Sequence, residues 1–212
     1  MFTKVPAAPA ENQDSRRNNE LKLNANENEN RDKMVKIELR ARTKEHVKMF
    51  WEATRGEELR RYIPIADNTL EEALALFEAS RKPEATSYGK TIFANDVYIG
   101  DIWCYGIDEK DEKMAMLSIV IFNSSYWGKG IATQAIKTFA EDMFSRYGIR
   151  KLGAFTFANN TGSIRSLEKA GFIGVEEFDE DGVQSRYFEM HRPYIYKWIV
   201  GATAAPVTDM VL

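Results

Sequence analysis

The chain has 212 residues, enough for one domain with a sizeable core. Its net charge of −3 argues against the broad basic face that nucleic acid demands, and 44% apolar with 29% charged residues is the balance of a soluble globular protein. A single cysteine, Cys104, excludes an internal disulfide, no apolar run reaches membrane-spanning length, and the N-terminus lacks the apolar stretch of a secretory signal; the expectation is a cytoplasmic protein with no membrane attachment.

Residues 1–33 are rich in Asn, Glu, Arg and Ala and poor in large apolar side chains, so they cannot bury enough surface to offset the entropy of ordering. They read as a disordered extension, with the folded domain over 34–200 and a loose tail over 201–212. Val35, Ile37 and Leu39 alternate with charged residues, the pattern of a half-buried strand. Thr43 can cap a helix that buries Val47, Phe50 and Trp51. Thr69 to Glu72 has capping-box spacing before Leu70, Ala73, Leu74 and Phe77, and that helix stops before Pro83. Strands follow at 88–94 and 97–105, joined by the hairpin signal Asn95-Asp96, and a charged turn fills 108–113.

Residues 114–122 form a short, nearly unbroken apolar run rich in β-branched side chains, which predicts a strand buried on both faces. Asn123, Ser124 and Ser125 break it, and Gly128-Lys129-Gly130 opens a helix. Ile131, Ala135, Phe139, Met143 and Tyr147 make one apolar row, Ala132, Ile136, Ala140 and Phe144 the next, and Gly148 is the stop. A strand at 151–157, a helix capped by Asn159 or Asn160 and closed by Gly171, and strands at 172–178 and 184–190 with an Asp181-Gly182 turn complete the order. This is a mixed α/β sheet, mostly antiparallel, flanked by helices, with one parallel pair around the helix that follows Gly130.

A strand feeding a glycine turn and a helix N-terminus is an anion cradle, because the first N–H groups of the helix lack intrahelical acceptors and carry the positive end of its dipole. Walker A spacing is absent, and a dinucleotide fingerprint would need glycine where Thr133 stands. Trp127-Gly128-Lys129-Gly130-Ile131-Ala132 resembles the acetyl-CoA pyrophosphate loop of the GNAT N-acetyltransferases, with Trp127 where Gln or Arg is usual. Its spelling is similar to the RimJ/RimL-type branch, which acetylates ribosomal-protein N-termini. A second block, Asn160-Thr161-Gly162-Ser163 and then Leu167-Glu168-Lys169-Ala170-Gly171-Phe172, resembles the family's segment in order and spacing, and the likeness covers roughly residues 35–192.

The resemblance implies a GNAT acyl-CoA N-acyltransferase fold and direct transfer of acetyl from acetyl-CoA to a primary amine, on a peptide or a small molecule, by a monomer or homodimer. It places the pantetheine arm against Val120, Ile121 and Phe122, the pyrophosphate on Gly128, Lys129, Gly130, Ile131, Ala132 and Thr133 with Trp127 leading the loop, and Asn160 on the pantetheine amide. Ser163 is the candidate partner of the leaving sulfur. The tyrosine acid common in the family falls on Leu167, and a glutamate base of some relatives falls on Phe155; neither can move a proton. Glu176, Glu177 and Tyr187 lie on the last strands, where a base could sit. Those two losses keep an alternative open, a GNAT fold that holds acyl-CoA without turning it over. An α-amine with a pKa near 8 is roughly a tenth neutral at pH 7, whereas a lysine amine is neutral about once in 2,500, so a missing base favours the α-amine. His46 and His191 stand apart and read as structural, and no metal-ligand spacing occurs, so no metal is expected. Trp51, Trp103 and Trp198 read as core or groove wall, and the run from Pro193 to Trp198 as packing.

Overall fold

The computed structural model describes residues 35–63, 68–180 and 182–193. The expected extension, the tail, Asp181, and residues 194–198 of the aromatic run lie outside the described residues. In chain order the elements are β1 (Ile37–Ala41), α1 (Lys44–Ala53), α2 (Glu57–Arg60), α3 (Leu70–Ala79), β2 (Tyr88–Ala94), β3 (Val97–Asp108), β4 (Met114–Ile121), α4 (Ile131–Arg146), β5 (Lys151–Phe157), α5 (Thr161–Ala170), β6 (Ile173–Glu180) and β7 (Val183–His191). A single 3₁₀ turn, Ser124–Tyr126, stands between β4 and the glycine loop.

Local chemistry sets the helix ends. The Thr43 hydroxyl accepts from the His46 N–H while His46 Nδ1 accepts from the Thr43 N–H, so this histidine is half of a cap. Thr69 and Glu72 make the same reciprocal pair before α3. Gly130 starts α4 at φ +76° and Gly171 ends α5 at φ +110°, a left-handed region that glycine enters without a Cβ clash. Two features were not foreseen in the sequence: the four-residue helix α2 and the 3₁₀ turn.

The strands form one sheet in the order β1-β2-β3-β4-β5-β7-β6. Every neighbouring pair is antiparallel except β4 and β5. That parallel pair is short. Met114, Ala115 and Met116 face Lys151, Leu152 and Gly153, and then the two strands part. β5 stays paired with β7 over its whole length, from Lys151 opposite His191 to Phe157 opposite Ser185. The sheet therefore splits into a fork in its middle.

Side chains alternate across the sheet, so the fork has two unlike faces. On one face α4 packs its stripe, Ile136, Phe139 and Met143, against Ile92, Ile102, Cys104 and Leu117, all at 3% exposure or less. On the other face α1 lies over β3, with Phe50 edge-on to Trp103 at 6.0 Å and His46 against Tyr98 at 4.9 Å. β4 is thus not sealed on both faces as its composition suggests. Ala115 and Leu117 are buried under α4, while Met116 and Ser118 are only half-buried on the other side.

One buried charge lies under α1. Asp101 is 1% exposed, accepts the Tyr98 hydroxyl at 2.9 Å, and faces the Arg42 guanidinium at 2.8 Å. Burial pushes its carboxyl up to about 6 against the opposing pull of Arg42. A carboxyl raised in the folded state stabilises most below its unfolded value and loses that contribution as pH rises through about 6. Urea unfolding of wild type and Asp101→Asn from pH 4 to 7 will show the stability gap shrinking by about 1 kcal/mol per pH unit up to pH ~6 and flat above it; a gap independent of pH would refute the buried-charge account.

Candidate active site

The loop after the 3₁₀ turn presents unpaired amides. Gly128 and Gly130 sit at φ +71° and +76°, and a Cβ at either would meet nothing within 4 Å, so their backbone stands open to solvent. The first intrahelical bond of α4 is from Gln134 N–H to Gly130 C=O. The N–H groups from Gly128 to Thr133 thus have no backbone acceptor among the described residues. Together with the dipole of a sixteen-residue helix they form a ready anion site.

The open edge of β4 runs straight to this loop. The Phe122 N–H donates to the Ile99 C=O at 3.0 Å. In an antiparallel ladder the direction alternates residue by residue, so the polar groups of Val120 also turn to β3 and those of Ile119 and Ile121 turn into the fork. A Cβ on Gly100 would sit 2.1 Å from the Val120 carbonyl oxygen, which confirms where that carbonyl points. The indole N–H of Trp127 takes the Ile121 carbonyl at 2.8 Å. That leaves the Ile121 N–H and both polar groups of Ile119 without a strand partner among the described residues.

A cleft of about 2150 Å³ runs along the fork, more than one small ligand fills. Val120, Ile121, Trp127, Gly128, Gly130, Ile131, Ala132, Thr133, Asn160 and Ser163 all line it. Two residues of the expected set do not. Phe122 spends its N–H on β3 and its ring packs against Tyr98 at 5.1 Å. Lys129 is exposed and absent from the lining, and its ammonium lies 5.7 Å from the Tyr126 ring. Asn160 caps α5 by accepting the Ser163 N–H at 3.0 Å and donates to the Tyr62 carbonyl at 3.3 Å.

The other wall is aromatic. Phe50, Trp51, Tyr62, Trp103, Tyr105, Phe155, Phe178 and Tyr187 line it, and Phe155 stands 4.9 Å from the Tyr187 ring and 5.5 Å from Phe178. Among the described residues the charged lining is Arg42, Arg81, Lys90, Arg165 and Lys169 against one carboxylate, Glu176. Glu177 is engaged with Arg186 at 2.9 Å and does not line the cleft. Leu167 is 2% exposed in the core, and Phe155 is 53% exposed; both are chemically inert. Cys104 is fully buried beneath α4, and burial drives its thiol far above the usual range, so it cannot serve as a nucleophile. Among the described residues no three His, Cys, Asp or Glu side chains group as a metal site, and no helix is long and apolar enough to cross a membrane.

Residues 36–173 match the sequence family described as "Acetyltransferase (GNAT) domain". The chain belongs to the GNAT acetyltransferase family. An acetyl-CoA-dependent N-acetyltransferase is the activity of this domain, and its sheet is the GNAT fold. Solved structures share that fold at low identity. The aminoglycoside acetyltransferase AAC(6')-Ib with coenzyme A and kanamycin aligns at TM-score 0.62 and 20% identity, over 74% of this chain and 95% of its own. Spermidine N-acetyltransferase from Vibrio cholerae with CoA and spermine aligns at 0.64 and 15%, over 73% and 95%. The ribosomal α-N-protein acetyltransferase RimL with coenzyme A aligns at 0.62 and 16%, over 73% and 93%. No curated protein sequence matches the chain.

The uncapped amides and the unpaired edge of β4 fit a CoA diphosphate and a strand-like pantetheine arm. Gly130→Ala places a Cβ in the left-handed region, costing roughly 1–2 kcal/mol and re-aiming the amides, so calorimetric titration will show CoA affinity falling about tenfold. Lys129→Ala will change it by less than about twofold, because the side chain is exposed and does not line the cleft. Equal losses in the two variants would contradict the loop geometry.

Proposed function

We propose that this GNAT domain transfers acetyl directly from acetyl-CoA to the single primary amine of an acceptor with an apolar or aromatic body, a peptide α-amine being the favoured form. The diphosphate rests on the amides of Gly128 to Thr133, and the pantetheine arm pairs with Ile119 and Ile121 in the fork. The sulfur lies at the end of the arm away from the diphosphate, so the Ile119 N–H stabilises negative charge on the thioester oxygen, a donation typically worth about 10²–10³ in rate. Asn160 turns its amide from Tyr62 to the arm, and Ser163 faces the sulfur. The spelling of the Tyr126 to Thr133 loop supports a RimJ/RimL-type branch. We place the protein in the cytoplasm, as a monomer or homodimer.

The observation that carries the acceptor class is the lining of the cleft. Relatives of this fold are solved with kanamycin and with spermine, both polycations. Among the described residues a polycation would meet one lining carboxylate, Glu176, and five lining cationic side chains, of which Arg42 and Lys90 are already paired with Asp101 and Asp142. Each ammonium stripped of water needs a counter-charge, and the described lining offers one carboxylate for several such charges. A monoamine needs only one, and the ring faces add cation–π attraction. The surrounding positive charge also lowers the amine's pKa, which raises the neutral fraction without a dedicated base.

The second reading, a domain that holds acyl-CoA without turnover, draws on Leu167 and Phe155, which occupy two proton-handling positions of relatives. One assay separates the two. Release of CoA thiol is followed with acetyl-CoA and a panel of α-amino peptides, arylalkyl amines, spermidine and kanamycin. Peptides and arylalkyl amines will exceed the polycations by about tenfold or more in kcat/KM, the factor that one uncompensated charge of about 1.4 kcal/mol supplies. Tight CoA binding with no turnover on any amine would establish the holding role instead.

A further inference from the structure

With Leu167 and Phe155 inert, the proton released by the amine needs another destination, and the apex of the fork supplies one. Gly153 faces Met116 in the last parallel pair before the strands separate. The Tyr187 hydroxyl lies against Gly153, only 2.7 Å from where a Cβ would stand, and Tyr187 lines the cleft together with the adjoining Leu117, Ser118 and Ala154. Its O–H donates to Glu189 Oε1 at 2.9 Å. Lys151 donates to the same oxygen at 2.7 Å, and His191 Nε2 stands 3.3 Å from the other. Side-chain exposure rises along this line, from 16% at Glu189 to 67% at His191. The chain of polar groups runs from the fork through a mostly buried carboxylate to solvent.

We propose that Tyr187 is the catalytic group that takes the proton of the attacking amine while passing its own to Glu189. The inference rests on the acetyl-CoA reading of the fork. A phenol whose O–H is committed to a carboxylate offers only its lone pairs to the cleft, so Tyr187 enters the reaction as an acceptor. The amine nitrogen bonds to the thioester carbon, and the carbonyl π pair moves to oxygen. The nitrogen, now far more acidic than a free ammonium, gives its proton to Tyr187 Oη as the phenolic proton moves to Glu189 Oε1. The oxygen pair returns, the carbon–sulfur bond breaks, and the sulfur leaves with its electrons and is protonated from solvent. Glu189 discharges its proton through His191.

The charges around the pair suit this role. Lys151 approaches from β5, His191 lies on β7 itself, and Glu176 faces Tyr187 from β6. Burial and the Glu189 carboxylate push the Tyr187 phenol up to about 12, so it stays protonated between turnovers. Burial works against the Glu189 charge, but the hydrogen bonds from Lys151 and Tyr187 hold its carboxyl below the usual range and keep it ionised at neutral pH.

The test uses the full chain, acetyl-CoA and the best amine of the acceptor panel. Tyr187→Phe removes one oxygen and will lower kcat about 10²-fold, with the KM for acetyl-CoA unchanged within about twofold. Glu189→Gln will lower kcat similarly, and added imidazole will restore part of that rate without affecting wild type. A readout independent of turnover is the ultraviolet titration of phenols, taken as a difference against Tyr187→Phe. In Glu189→Gln the Tyr187 ionisation will move down from about 12 toward the ordinary 10.0. Full kcat in Tyr187→Phe, or an unmoved phenol titration in Glu189→Gln, overturns the relay while the acetyltransferase reading stands. Wild type that turns over no amine overturns that reading and the relay with it. If Glu189→Gln unfolds because Lys151 loses its partner, Tyr187→Phe alone decides.

Discussion

Everything at this site depends on β4 losing its neighbour halfway along. A strand inside a sheet ordinarily pairs on both edges, and a buried backbone group left unpaired costs about 1–3 kcal/mol. β4 gives up that pairing beyond Met116, and the sheet tolerates it because β5 is held on its far edge by β7 over seven residues. Gly153 and the Tyr187 hydroxyl pack together at the point of divergence. The exposed amides of Ile119 and Ile121 then invite strand addition by a ligand that presents its own amides, the same main-chain complementarity by which extended peptides join sheet edges. Pantetheine carries two amides, and a diphosphate at its end matches the glycine loop, so a single molecule answers both halves of the geometry.

The unlike faces divide the labour. α4 seals one face with side chains such as Phe139, Ile136 and Met143, and that packing fixes the helix N-terminus at the mouth of the fork. The other face stays open beyond α1 and carries rings in place of carboxylates. The cationic lining is Arg42, Arg81, Lys90, Arg165 and Lys169, of which Arg42 and Lys90 have their charged ends held by Asp101 and Asp142 at 2.8 and 3.1 Å. An active site for a neutral nucleophile benefits from such a field, which disfavours the protonated amine at no cost to the neutral one. The same field burdens a polycation at every additional ammonium.

How much of this could be read from the chain follows from what is local. The β2 bounds, the Thr43 and Thr69 caps, Asn160 and the Gly171 stop are all legible, because each rests on residues within four positions of one another. The fork is not legible. An apolar run such as 114–122 has the same composition whether both faces are covered or one floors a cleft, and the decision lies with β5 and β7, far along the chain. The resemblance puts Lys129 in the pyrophosphate loop, but its side chain is exposed beside Tyr126 and absent from the cleft lining, and no spacing rule reports that. Tyr187 and Glu189 can be placed on one face by alternation. Their meeting with Lys151, 38 residues away, needed the β5–β7 register.

Trp127 shows how the two halves of the site are joined. The family's usual Gln or Arg at this position offers several donors and would compete for an anion or for solvent. An indole has one N–H and no acceptor, and here it is committed to the Ile121 carbonyl at 2.8 Å, with the ring edge-on to Tyr62 at 5.8 Å. The substitution therefore ties the glycine loop to the end of β4 and removes the one carbonyl in the fork nearest the loop that would repel a diphosphate. The Ile121 N–H on the same residue is left facing the fork. A strand whose terminal carbonyl is occupied and whose amide is free presents net donor character beside the loop, where the cofactor's diphosphate must be accommodated.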